Sequence, residues 1–149
     1  MALNREFVGR QYAAPATYEV SRVKIKEFAA AIGDTNPIYR DREAAKAAGH
    51  PDVIAPPTFP IVFTLTGAGE ALADPELGLN YAMVVHGDQR FEYTRPIRAG
   101  DELVCVSTIT EIRSVGRNEV LTVQSDVTTV DGEHVCTSYN TIVERGGAA

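Results

Sequence analysis

The side chains that could carry chemistry are few. The sequence holds three histidines. His50 and His134 read as loop residues with nothing nearby to recruit them. His86 falls in a strand-like run beside Gly87, where bonding within its own sheet competes with acid–base work. The segment Asp34–Tyr39, DTNPIY, gathers a carboxylate, an amide and a phenol. By itself it reads as a turn. Asp34 and Asn36 bond their own backbone, Pro37 biases Asn36 away from helix, and Tyr39 packs. A phenol, with a reference pKa of about 10, is also a poor base near pH 7. Glu70 is a carboxylate that a thioesterase could use. Cys and His are too sparse at ligand spacing for a metal site, and no cofactor is implied. Cys105 and Cys136 sit in strand-like runs and read as free, half-buried thiols of a reducing compartment rather than a disulfide.

These groups need a frame, and Pro56–Ala73 supplies its axis. Thr58 reads as the N-cap of one helix, with Phe59 and Pro60 in its first turn. Ile61, Val62, Phe63, Leu65, Ala68, Ala71 and Leu72 leave no polar face, which predicts a buried helix. The run is too short to span a bilayer, which takes roughly 20 apolar residues.

Before it, residues 1–15 read as an arm and Ala16–Val20 as a short strand. Ser21 caps a helix to Ile32 that Gly33 stops, and Asp41 caps a second one through Ala48, closed by Gly49. His50–Pro57 is a Pro-rich loop. After Pro75 the apolar period drops from 3.6 to 2. Strands are expected over Tyr81–Thr94, Glu102–Arg113, Glu119–Val130 and Glu133–Glu144. Turns fall at Arg95–Asp101 and Val115–Asn118, and Asp131-Gly132 has the composition of a type I′ hairpin. The prediction is an α+β domain over residues 1–149, with a curved antiparallel meander wrapped around one long buried helix. Its Thr-, Ser- and Val-rich outer face favours pairing with another sheet.

The net charge of −6 with no basic cluster argues against nucleic acid and against an anionic membrane surface as partners. Met1–Gln11 is charged throughout and lacks the apolar run of a signal peptide, so a cytoplasmic protein is expected.

Three stretches carry a resemblance: IGDTNPIYRD (Ile32–Asp41), APPTFP (Ala55–Pro60) and VVHGDQRFEYTRPIRAGDEL (Val84–Leu103). They are similar to the MaoC-like branch of the hotdog fold, which holds (R)-specific enoyl-CoA hydratases and (3R)-hydroxyacyl-ACP dehydratases. The order of elements matches over nearly the whole chain. The chain resembles most the HadA-type acyl-binding subunit and the N-terminal half of the two-hotdog hydratases.

The resemblance implies a site. Asp34 matches the family's catalytic Asp and Asn36-Pro37 its Asn-Pro, but Tyr39 stands where the His belongs. Pro56 and Pro57 replace a His-Gly pair, leaving Thr58 and Phe59 to offer N–H donors at the helix start. Phe59, Val62, Phe63 and Thr66 would line an acyl tunnel, with His86 as the remaining imidazole near the site. Arg95 and Arg98 are either solvated or meet a carrier phosphate. The implied function is an acyl-CoA- or acyl-ACP-binding subunit, as a homodimer or beside a His-bearing hotdog chain. A self-sufficient hydratase using Asp34, a non-catalytic acyl-binding module and a thioesterase stay open beside it.

Overall fold

Alternating Val, Thr and Ile in the second half of the chain builds the sheet, and the capped helices of the first half are laid on it. The computed structural model describes residues 2–148. In chain order the elements are β1 (Gln11–Ala13), β2 (Tyr18–Glu19), α1 (Arg22–Ala31), α2 (Arg42–Ala47), α3 (Ile61–Ala73), β3 (Val84–Tyr93), β4 (Glu102–Val115), β5 (Asn118–Thr129) and β6 (His134–Glu144). Short 3-10 turns, among them Pro37–Tyr39, fill some of the gaps. No helix among the described residues is long and apolar enough to cross a membrane.

The α+β class holds, with every strand pair antiparallel. The strand order is β1-β4-β5-β6-β3, with β2 also on β4. The expected four-strand meander is therefore three strands long. β3 does not pair with β4, because the segment after it crosses the end of the sheet, buries Ile97 (1% exposed) and leaves β3 on the far margin beside β6. Residues 1–15 are no loose arm. Leu3 and Phe7 are buried, and β1 extends the margin at β4. Arg5 and the Leu3 N–H both reach the buried Glu119 carboxylate, which ties the segment down.

The caps act as composition predicts. Ser21 Oγ accepts the Lys24 N–H, and Asp41 Oδ1 accepts the N–H groups of Glu43 and Ala44. Gly33, with φ 73°, ends α1 in a Schellman motif: Asp34 N–H meets Ala29 O while Gly33 N–H meets Ala30 O. That motif aims the chain into the Asp34 turn. The last hairpin differs from expectation. Gly132 N–H meets Thr129 O, and Gly132 alone of the loop has positive φ. This is a three-residue loop closed by a left-handed glycine. A type I′ turn would require positive φ at Asp131 as well.

Helix α3 departs from prediction at both its start and its outer face. It begins at Ile61, and Thr58 makes no cap. Thr58–Pro60 winds as tight turns, with Phe59 N–H on Pro56 O and Ile61 N–H on Thr58 O, and regular winding starts from Pro60 O. Nor is the helix buried all round. Phe63, Thr64, Gly67, Ala68, Ala71 and Leu72 face the sheet, while Leu65 is 48% exposed. One sheet covers one side of a cylinder, and the apolar remainder is open in the single chain.

Contact with the sheet is closest at Gly67, where a Cβ would lie 2.8 Å from Ser107 Oγ. That hydroxyl is held by Ser125 Oγ at 2.8 Å. Gly67→Ala should therefore lower stability by about 1–3 kcal/mol through overpacking. Adding Ser107→Ala should return part of the loss, as read from urea-denaturation midpoints. An unchanged midpoint for Gly67→Ala would show that the helix has room to lift.

Candidate functional site

The approach to α3 is made of two turns held by their own side chains. Asp34 Oδ1 accepts the Asn36 N–H at 3.0 Å, and Asn36 Oδ1 accepts the Ile38 N–H at 3.2 Å. Arg40 donates to Asp34 O at 2.8 Å. This locks the Pro37–Tyr39 turn, and Tyr39 is carried inward to 7% exposure.

Tyr39 meets a cavity of about 260 Å³, walled by Ile54, Ala55 and Pro57 on one side and by Tyr93, Thr94 and Pro96 on the other. Ala55 is fixed by its N–H on Ile97 O at 2.8 Å, and Tyr93 Oη donates to Pro57 O at 2.7 Å. The cavity therefore lies beside the segment that feeds α3, whose opening N–H groups from Phe59 to Thr64 are taken up by the carbonyls of Pro56, Thr58, Phe59 and Pro60.

Burial pushes the Tyr39 phenol up, and the neighbouring Asp34 charge adds to it. Burial likewise drives the Tyr93 phenol far above its usual range, with Cys136 and Tyr39 adding to it. Two protonated phenols thus face an apolar space. Tyr93 already gives its one proton to Pro57 O, so Tyr39 is the phenol with a hydroxyl left to donate, and neither is a base.

The other expected site residues are divided among three places. Asp34 is half-exposed beside Tyr39, and Asn36 is exposed at the turn. Thr58 is exposed next to Pro57, and among the described residues no acceptor meets its N–H. Phe59 does not line a tunnel. At 0% exposure it is packed edge-on among Tyr18, Phe28 and Phe63, with centroids 5.4–6.4 Å away, and its N–H is spent on Pro56 O. Val62 packs on the same cluster. Phe63 and Thr66 line a second cavity, of about 170 Å³, between α3 and Ala14–Tyr18, with Cys105 in its wall.

His86 stands apart from Tyr39. It lines a groove of about 210 Å³ on the open side of α3, with Ile61, Leu65, Val84 and Asn140. β3 carries it on the sheet margin, and it shares no cavity with Tyr39. Arg95 is neither solvated nor available for a phosphate. It is 15% exposed and paired with Asp101 at 2.9 Å and Glu133 at 2.8 Å. Cys105 and Cys136 are free and fully buried, not half-buried. Burial pushes the Cys136 thiol up to about 12.

Tyr93 is the site residue that sequence reasoning passed over. The alternation of Gln89, Phe91 and Tyr93 against Arg90 and Glu92 already placed it on one face. What was missing was that this face turns inward where β3 meets Pro57.

Comparison with known proteins adds the following. A family profile for the FAS1-like, dehydratase domain region matches residues 6–138. A UPF0336 protein of Thermobifida fusca is 58% identical over 148 residues, 99% of this chain and 97% of that one. Among solved structures, the C-terminally truncated HadBC (3R-hydroxyacyl-ACP dehydratase) complex of Mycobacterium tuberculosis superposes with a TM-score of 0.83. It is 26% identical and covers 92% of this chain and 96% of that one. A MaoC-like dehydratase gives 0.87 at 32% identity over 93% of this chain, which spans 42% of that protein. The likeness is to the hotdog fold, a sheet wrapped on a central helix.

The raised phenol values set a pH signature. A phenol whose folded pKa lies above the unfolded value of about 10 stabilises fully below that value, and the contribution is lost as pH climbs past it. Tyr93→Phe should cost about 1 kcal/mol at neutral pH through the lost bond to Pro57 O. That gap from the wild type should narrow in alkali. Phenolate absorbance should show Tyr93 titrating only as the wild-type chain unfolds. Titration at the ordinary tyrosine value would refute the burial argument.

Proposed function

The chain belongs to the FAS1-like dehydratase domain region family, and on that premise we propose that it is an acyl-thioester-binding hotdog subunit. Its substrates would be acyl-CoA or acyl-ACP thioesters of fatty-acid metabolism. The reaction is (R)-enoyl hydration or its reverse, (3R)-hydroxyacyl dehydration. Full rate would need an imidazole from a MaoC-like partner.

One observation carries the reading. At the family's His position the chain holds Tyr39, a buried phenol kept protonated, facing an apolar cavity at the approach to α3. Dehydration needs a base for the proton beside the carbonyl, an acid for the leaving hydroxyl, and donors for the thioester oxygen. Tyr39 and the free Thr58 N–H suit the third task. Asp34, beside Tyr39, suits the acid or the water-holding role. Neither phenol suits the first. Val62, Phe63 and Thr66 offer apolar surface along α3 for the acyl chain, with Phe59 supporting them from the core.

The partner's place follows from exposure. β3 pairs only with β6 among the described residues, so its outer N–H and C=O groups are bare. Beside it lies the groove of Ile61, Leu65 and His86, with Val85 39% exposed along the strand. The buried amide oxygens of Asn140 and Gln89 have no donor there. A second MaoC-like chain, identical or different, would cover the apolar surface and supply donors. The similar HadBC protein is itself a two-subunit complex. Buried, unpaired thiols at Cys105 and Cys136 suit a cytoplasmic setting.

Purified protein should hydrate crotonyl-CoA slowly alone, and at least about a hundredfold faster with a His-bearing MaoC-like partner. Full turnover by the chain alone, abolished by Asp34→Asn, would replace this reading with the self-sufficient hydratase. Release of free thiol from acyl-CoA would point to a thioesterase. For the pairing surface, Leu65→Glu should leave the chain folded and shift it to monomer in sedimentation velocity. An unshifted dimer would place the interface elsewhere.

A further inference from the structure

We propose that Thr94, His134, Thr137 and Asp126 form a proton relay serving the tyrosine-lined cavity, with the Thr94 hydroxyl as the group that meets substrate. This rests on the thioester reading of that cavity, and gives the chain a proton-handling group of its own.

The four residues come from two strands, β5 and β6, and from the segment that follows β3. Thr94 follows β3, lines the cavity, and is fixed by its N–H on Val135 O at 2.9 Å. Its Oγ1 lies 2.5 Å from His134 Nδ1. His134 Nε2 lies 2.8 Å from Thr137 Oγ1, and Thr137 donates to Asp126 Oδ1 at 3.1 Å. Asp126 and Thr137 are direct cross-strand partners on β5 and β6.

The directions of these bonds follow from one fixed end. A carboxylate only accepts, so the Thr137 proton points at Asp126. Its oxygen must then accept from His134, which puts the ring proton on Nε2. Nδ1 is left with a lone pair, and the Thr94 hydroxyl donates to it. A hydroxyl, an imidazole and a buffered carboxylate thus stand in the order that polarises a hydroxyl in acyl-transfer enzymes, here with a threonine inserted before the acid. Thr137 is 7% exposed, so the link to Asp126 is shielded from water.

Two carboxylates stand on the segments that hold the ring. From β5 comes Asp126, which also accepts from Gln124 at 3.4 Å. From the turn before β6 comes Glu133, paired with Arg95, which in turn holds Asp101. Among the described residues the ring nitrogens meet only Thr94 and Thr137.

In hydration, the water oxygen bonds to Cβ of the enoyl thioester. The water proton passes to Thr94 Oγ1 as the threonine's own proton moves to Nδ1. The π electrons move to Cα and onto the thioester oxygen. The proton then returns along the same path to Cα, so water adds across the double bond with no other reactant.

The test uses the full chain, uniformly 15N-labelled, with crotonyl-CoA as probe. At neutral pH the His134 signals should show a lone pair on Nδ1 and a proton on Nε2. Crotonyl-CoA should move the Nδ1 resonance in the wild type and in Thr94→Ser, but not in Thr94→Val. The chain's slow hydration should fall about a hundredfold in Thr94→Val at nearly unchanged KM, and survive in Thr94→Ser. His134→Gln should lower the slow hydration about as far as Thr94→Val does. A proton on Nδ1 of the neutral ring overturns the relay. So does a Thr94→Val variant, folded by circular dichroism, that keeps wild-type turnover. If the Tyr39 and Ala55 amides respond to crotonyl-CoA while Nδ1 does not, the relay fails and the thioester reading stands. If none of them responds, the thioester reading fails and takes the relay with it.

Discussion

The depth at which α3 sits on the sheet governs the rest of the molecule. That depth is set where Gly67, which has no side chain of its own, meets the hydroxyl of Ser107 held by Ser125. A helix seated this low brings its first turn down to the ends of β3 and β6. Phe59 then enters the aromatic cluster at full burial, which stabilises by about 1.5–3 kcal/mol. The proline-rich approach segment is left stretched across the sheet's end, with Ala55 and Pro57 as a wall. The cavity beside Tyr39 is the space that remains between that wall and the β3 turn.

The chemistry of this space is dictated by desolvation. Tyr39 and Tyr93 point phenols into apolar surroundings that disfavour the phenolate, so both act as neutral donors. Tyr93 already spends its proton on Pro57 O, and a space lined by neutral phenols is a poor proton acceptor. That lack is why a scaffold of the dehydratase family here reads as a half-site, completed either by another chain or by an imidazole that reaches the cavity through a threonine.

The elements were legible where local physics decides them. Capping side chains at Ser21 and Asp41 and stop signals at Gly33 and Gly49 placed α1 and α2 within a residue or two, and the change of period after Pro75 placed the four long strands within three. Reading failed where the outcome depends on what lies across from a segment. An all-apolar run announced a buried helix, but periodicity carries no information on how many sides have a cover, and Leu65 is open. Strand pairing was taken in chain order, and only the path of Arg95–Asp101 across the sheet reveals that β3 joins β6. His134 looked like an idle loop residue because Thr94 and Asp126 are distant in sequence. Asp34, Asn36 and Tyr39 were found as a group because one turn contains all three.

The two margins of the sheet are unequal. At β4 the chain folds its own first residues over the backbone as β1 and β2, while β3 keeps its outer row of polar groups bare. A body with a single adhesive side accepts one neighbour and then has none left to offer. Under the proposed pairing, association at β3 would close on itself as a pair, with the β4 margin covered by a short ribbon of N-terminal chain.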